Sequence, residues 1–396
     1  MTMAAAIEDR TADQDERPGA GPIAGIDILR DLTAAEGIWR GLEGTQTSFT
    51  PYQRFDFLSS WQQHVGTREG LTPFIVVAYD REHRPLLLLP LALRHAYGAR
   101  CASFMGGKHS TFNMALFDRD FAASATQADL EGLISAMSQR GEADVLALHQ
   151  QPLRWRDLPN PLALLPHQPS ANDCPLLVME PSAAPTALIS NSFRRRLKGK
   201  ERKLQALPGY RSHIASTESD VTRLLDWFFR VKPLRMAEQK LPNVFADPGI
   251  EDFVRSACTT KLADGGHAID IHALECDEEV IAIFAGVADG YRFSMMFNTY
   301  TMSPNSKYSP GLILMRDIID HYAAQNYRAL DLGIGSDDYK RLFCKNDEPI
   351  FDSFIPLSAR GKLTAGVMSG VNRTKRLVKH NPALLEMAQK LRNAFG

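Results

Sequence analysis

The chain has 396 residues, 44% of them apolar and 23% charged, with a formal net charge of -1. That length is enough for two domains with two buried cores, the composition is ordinary for a soluble globular protein, and the near-neutral balance gives no global reason to expect nucleic acid. Cys101, Cys174, Cys258, Cys276 and Cys344 are scattered and odd in number, with no C-x-x-C pair and no His/Cys cluster, which points away from a disulfide scaffold or a zinc site.

Residues 1–21 read as a polar, Ala-rich disordered lead without a basic-then-apolar signal pattern. A short strand is expected over Ile26 to Leu29, then helices over Ala34 to Leu42 and Phe55 to His64. Phe74 to Tyr79 and Pro85 to Leu93 form a hairpin across Asp80 to Arg84. The apolar run Leu86 to Leu93 is broken by Pro90 and falls far short of the ~20 residues a spanning helix needs. A strand around Cys101 to Met105 leads into Gly106-Gly107, followed by a helix at Ala128 to Arg140 and a strand at Val145 to His149. Prolines from 152 to 185 then punctuate a stretch with little regular pattern, where a domain boundary is expected.

The second half opens on a basic helix from Ser192, with helices at Ser219 to Met236 and Gly249 to Ala263. Ala268 to Glu275 and Val280 to Ala288 make another hairpin, so the two halves read as a tandem repeat of one α/β unit. Tyr291 to Tyr300, a helix from Ser309-Pro310-Gly311 and Tyr327 to Ile334 form a strand, helix, strand crossover suited to parallel strands. Ser309 suits an N-cap and Pro310 a first helical position, and the helix start offers free amides and a favourable dipole to a phosphate. The same turn also reads as a plain structural cap. The Gly335 to Lys340 segment gathers Asp337, Tyr339 and Lys340. Asp331, inside an apolar strand, needs either a partner or a function, because an unpaired buried carboxylate is costly.

The basic Phe193-Arg194-Arg195-Arg196-Leu197 helix, Phe245-Ala246-Asp247-Pro248, Tyr308-Ser309-Pro310-Gly311 and the Asp331 to Lys340 segment resemble the CelD/BcsL-type acyltransferases of the GNAT superfamily. Leu89-Pro90-Leu91 and His109-Ser110 resemble that family's amino-terminal region. The sequence departs from the family's Gly-Asp-Glu-x-Tyr-Lys ending by carrying Ser336 and Asp337.

The resemblance implies an α/β (α+β) fold of two GNAT-like domains, each a mixed, mainly antiparallel sheet flanked by helices, akin to the peptidoglycan aminoacyltransferases. The division would be an N-terminal domain over 22–185, an acyltransferase domain over 186–360 and a basic helical tail over 361–396. The implied activity is N- or O-acyl transfer, chiefly acetyl, from acyl-CoA as co-substrate to a sugar or polysaccharide precursor, in cellulose or exopolysaccharide biosynthesis. No metal is implied. Lys307, Tyr308, Ser309, Pro310, Gly311 and Lys340 would hold the cofactor's phosphates. Asp331 or Asp337 would take the acceptor's proton, and Tyr339 would return one to the thiolate or order its loop.

Two other functions stay open: aminoacyl transfer from charged tRNA, and a non-catalytic accessory of polysaccharide assembly. The expected setting is cytoplasmic, with the basic segments offering contact to a membrane surface or to envelope machinery.

Overall fold

The computed structural model describes residues 21–180, 185–263, 265–335, 337–381 and 384, so most of the expected lead, most of the tail's last residues and Ser336 lie outside the described residues. Period-two and period-3.6 apolar patterns assemble here into two large sheets of one plan, beside a small two-stranded one. Along its main path the first sheet runs Gly25–Leu29, Thr72–Tyr79, Pro85–Ala96, Ala99–Phe104, Val145–Pro152, Ile350–Pro356 and Gln168–Pro169. The second runs Arg211–Ile214, Asp270–Glu275, Val280–Ala288, Arg292–Tyr300, Ala329–Asp331, Cys174–Val178 and Asn346–Glu348.

The sheets correspond place by place. Neighbours are antiparallel throughout except at the fourth and fifth places, where both sheets are parallel. Each parallel pair is reached through a crossover ending in a helix, Gln127–Arg140 in the first unit and Pro310–Ala324 in the second. Both expected hairpins form, as antiparallel pairs with a shift of register near one end. The fold is a mixed α/β tandem of two mainly antiparallel sheets flanked by helices.

The sixth place is exchanged between the units. Ile350–Pro356, late in the chain, pairs with Val145–Pro152 in the first sheet, while Cys174–Val178, before the second unit, pairs with Ala329–Asp331. A division at residue 185 therefore cuts across both sheets, and one at residue 360 falls inside the helix Ala359–His380. The helix Ala359–His380, which begins two residues before the expected tail, packs Ala365 and Met368 against Ala99, Cys101, Val145 and Ala147 of the first unit.

One apolar core passes through both units, with Phe57 meeting Phe253 edge to face at 5.3 Å between ring centroids. Burying each such ring stabilises by about 1.5–3 kcal/mol. Gly249, at φ +83°, permits this approach, because a Cβ there would stand 1.9 Å from the His64 carbonyl oxygen. A second core lies under the crossover helix, where Ile313, Ile318, Ile319 and Tyr322 are buried as their helical spacing requires.

Candidate active site

The parallel ladder of the second sheet holds Arg292, Phe293 and Ser294 against Ala329, Leu330 and Asp331, and then stops. Beyond it Met295 to Asn298 and Leu332 to Ile334 line a cleft of about 430 Å³. Two local features accompany the opening. Met295 faces Gly286 and Phe297 faces Ala285, which leaves Met296 as the extra residue of a β-bulge. On the other strand Asp331 Oδ1 accepts the Gly333 amide at 3.0 Å, turning the chain at a glycine with φ +72°.

The bulge also decides where Asn298 points. Thr301 donates its amide to Ile281 in the neighbouring strand at 2.8 Å, so by alternation Thr299 and Phe297 face that strand while Asn298 turns its N–H and C=O the other way. Lys232 Nζ, from the helix Glu218–Glu238, donates to the Asn298 carbonyl at 3.0 Å. The Asn298 N–H thus aims at the cleft, past the end of the parallel ladder.

Polar groups converge there on an otherwise apolar wall that includes Met236, Phe245, Phe253 and Phe297. Burial pulls the Lys232 ammonium below the ordinary lysine range, Arg235 adds to this, and Asp337 opposes it. Asn298 Nδ2 donates to the Tyr339 hydroxyl at 3.4 Å, leaving that hydroxyl's own proton free to donate, and burial raises the phenol's pKa. His109 Nδ1 accepts from Trp61 Nε1 at 3.1 Å, so its proton sits on Nε2. Burial, with help from Lys108, pushes the His109 pKa down to about 4. Lys108 is itself paired with Asp247 of the other unit. Both Lys108 and His109 also line a cavity of about 730 Å³ in the first unit, so the two spaces adjoin at this turn.

Of the residues singled out by sequence, Asp337, Tyr339 and Lys340 line the cleft. The Asp337 side chain is 67% exposed and lies 3.4 Å from the Lys340 ammonium. Lys340 is buried and donates to the Gly333 and Ile334 carbonyls at 3.2 and 2.9 Å, so it fastens the turn opposite Asn298. Asp331 does not reach the cleft lining. It is fully buried and accepts from Arg292 Nε at 2.8 Å and Ser294 Oγ at 2.5 Å, the arrangement of a structural ion pair.

The Lys307 to Gly311 turn differs from the expected phosphate cradle. Ser309 does precede the helix, but at φ +57° with no side-chain capping bond, and its hydroxyl accepts from Lys200 at 2.6 Å. The Ser309 amide is bound to Ser306, and the Leu312 and Ile313 amides to the Ser309 carbonyl. Pro310 has no N–H, so among the described residues Gly311 supplies the one unpaired amide of the turn, beside the ammonium groups of Lys200 and exposed Lys307. Tyr308 lies under the Lys307 ammonium, 5.1 Å from ring centroid to nitrogen. The preceding loop is built around a carboxylate, since Thr301, Ser303 and Asn305 all donate to Glu279. None of the residues from Lys307 to Gly311 lines the cleft.

Lys232, Asn298, Lys108 and His109 were not marked as site residues by sequence reasoning. Pro233, inside an otherwise helical stretch, and Gly106-Gly107, with φ +89° and +50°, were the local irregularities beside two of them. The basic helix Asn191–Leu204 turns Arg194 to Asp320 and Glu201 to Arg316 on the crossover helix, leaving Arg195, Arg196 and Lys198 exposed. One group of described residues brings metal-type donors together, His213, Asp220 and Glu275, but Arg211 and Arg223 already bind Glu275.

Residues 191–341 match the family described as Acetyltransferase (GNAT) domain, a span that takes in the strands of the second sheet from Arg211–Ile214 to Ala329–Asp331. No curated protein matches the chain. Among solved structures, the C-terminal domain of a putative lysylphosphatidylglycerol synthetase from Agrobacterium fabrum is similar, at 12% identity and a TM-score of 0.51, over 87% of this chain and 97% of that one. A conserved protein of unknown function from Bacteroides thetaiotaomicron is similar at 12% identity and a TM-score of 0.51, over 83% of this chain and 99% of that one. At these identities the likeness is one of fold, and it extends over both units.

Proposed function

We propose that the cleft beside the Met296 bulge is an acyl-transfer site, taking an acyl group from a coenzyme A thioester to an amine or hydroxyl acceptor. The Asn298 amide polarises the acyl carbonyl and stabilises the oxyanion that forms when the acceptor attacks. Lys232, as the neutral amine, takes the acceptor's proton. Collapse of the tetrahedral adduct breaks the carbon–sulfur bond, and Tyr339 protonates the departing thiolate. The apolar wall receives the acyl chain, and Asp331, bound to Arg292 and to the Gly333 amide, ties the two strands at the level where they begin to part. A saccharide acceptor and a polysaccharide pathway rest on the family resemblance alone.

The observation that carries this reading is a backbone amide aimed into a cleft that Lys232 and the Tyr339 hydroxyl also line, each hydrogen-bonded to Asn298. Release of free thiol from acetyl-CoA and longer acyl-CoA esters, with amine and hydroxyl acceptors, tests it. Acceptor-dependent release that is lost in Tyr339→Phe is expected. Release at the same rate in that variant, or none with any donor, contradicts it.

A second reading, aminoacyl transfer from charged tRNA, is favoured by one feature: the Ser309 turn keeps a single unpaired amide and adjoins the Glu279 carboxylate, a modest site for a diphosphate. The synthetase named in the first structural match is consistent with it, though only by fold. Transfer from radiolabelled aminoacyl-tRNA, with no thiol released from acyl-CoA, would favour this reading.

A further inference from the structure

The helix Ala359–His380 carries Arg360, Lys362, Arg373, Lys375, Arg376 and Lys379 and no acidic residue, in a chain whose net charge is -1. Its inner face is fixed. Ala365 and Met368 are packed, Ser358 caps the first turn, and Gly361 lies so close to the first unit that a Cβ would stand 1.7 Å from the Asp144 carbonyl oxygen. The helix therefore cannot roll to hide its other side.

That other side is apolar. Leu363, Val367, Val371 and Leu377 are 76, 47, 39 and 67% exposed. At 100° per residue they fall on one stripe, and from Leu363 to Leu377 it runs about 21 Å. Lys362 and Lys375 are exposed, stand on opposite sides of the stripe, and pair with no carboxylate among the described residues. Arg373, Arg376 and Lys379 are instead turned back to Gln168, Ser170 and Asn172.

We infer that this outer face docks on an anionic membrane surface. A lipid layer supplies both things the face lacks, an apolar medium for the stripe and negative charge for its flanks. A second copy of the same helix would bring like charges together with no acid to offset them. No helix of the described residues is long and apolar enough to cross a membrane, so the contact is peripheral.

The test is flotation of the full chain with vesicles of phosphatidylcholine alone and with about one third phosphatidylglycerol, at about 0.1 M salt. Binding to the anionic vesicles alone is expected, weakened by added salt. The double variant Leu363→Glu, Leu377→Glu and the double variant Lys362→Glu, Lys375→Glu should each reduce it at least tenfold. These residues are exposed, so circular dichroism should stay unchanged. Absence of binding to anionic vesicles overturns the proposal, as does equal binding by the leucine variant. A dimer in solution that the leucine variant converts to monomer also overturns it, in favour of helix pairing. The readout needs no acyl transfer, so its failure is separate from failure of the functional reading.

Discussion

Arg292 and Asp331 meet across the parallel junction of the second sheet, Nε to Oδ2 at 2.8 Å, with 3% and 0% of their surfaces exposed. Glu348 holds a second nitrogen of the guanidinium at 2.9 Å, and the Phe112 ring lies 4.4 Å from its central carbon. The pair closes the ladder at the level where the two strands part. Removing one partner of such a pair strands a buried charge, at a cost of about 3–5 kcal/mol. Asp331→Ala should therefore lower the thermal midpoint by many degrees in a melt followed by circular dichroism. A normal melt with lost activity would instead assign Asp331 to the chemistry.

Lys232→Met and Tyr339→Phe should behave in the opposite way. Each removes a proton-transfer group from the cleft, and the expected loss is about 10²–10⁴-fold in kcat with little change in the melt. Because Lys232 acts as the neutral amine, the wild-type rate should rise with pH up to its lowered pKa. That limb should vanish in Lys232→Met, which a pH series on both proteins reads directly.

His109 makes acid destabilising. The unfolded imidazole titrates near 6.5, and the folded one is held down to about 4. Between those values the unfolded chain binds a proton that the native chain does not, so stability falls as pH falls through this window and is unaffected above it. For a single histidine the loss is on the order of 2–3 kcal/mol. Urea unfolding of wild type and His109→Asn across this range should show the wild type losing its stability relative to the variant as pH falls. A constant difference would mean that His109 titrates normally in the fold.

Gly361→Ala should loosen the helix Ala359–His380, since the added carbon meets the Asp144 backbone at 1.7 Å. Overpacking of this kind costs about 1–3 kcal/mol. Gly25→Ala, where a Cβ meets nothing within 4 Å, should cost little and serves as the control in chemical denaturation.

The parts of this fold that were legible in the sequence are those made by neighbours in the chain. The two hairpins and the Arg292 to Asp331 crossover each close locally, and apolar spacing alone marks their faces. The sixth strand of each sheet was not legible, because Cys174–Val178 and Ile350–Pro356 pair with strands far away in the chain, and Pro175 disguises the first of them. Asp331 announced its need of a partner by standing in an apolar strand, yet Arg292 lies 39 residues earlier and carried no mark of its own. His109 and Lys232 come from different units and share a wall only after the Phe57 and Phe253 faces meet. The Ser309 turn shows the limit of motif reading: Lys200, from a helix more than a hundred residues away, takes the hydroxyl that spacing had assigned to a cap.

A crystal structure with a non-hydrolysable acyl-CoA analogue tests the central claim most directly. The acyl carbonyl oxygen should lie about 3 Å from the Asn298 amide nitrogen, with the acyl chain against Phe245 and Phe297. An analogue seated elsewhere, or one whose carbonyl faces away from Asn298, would contradict it.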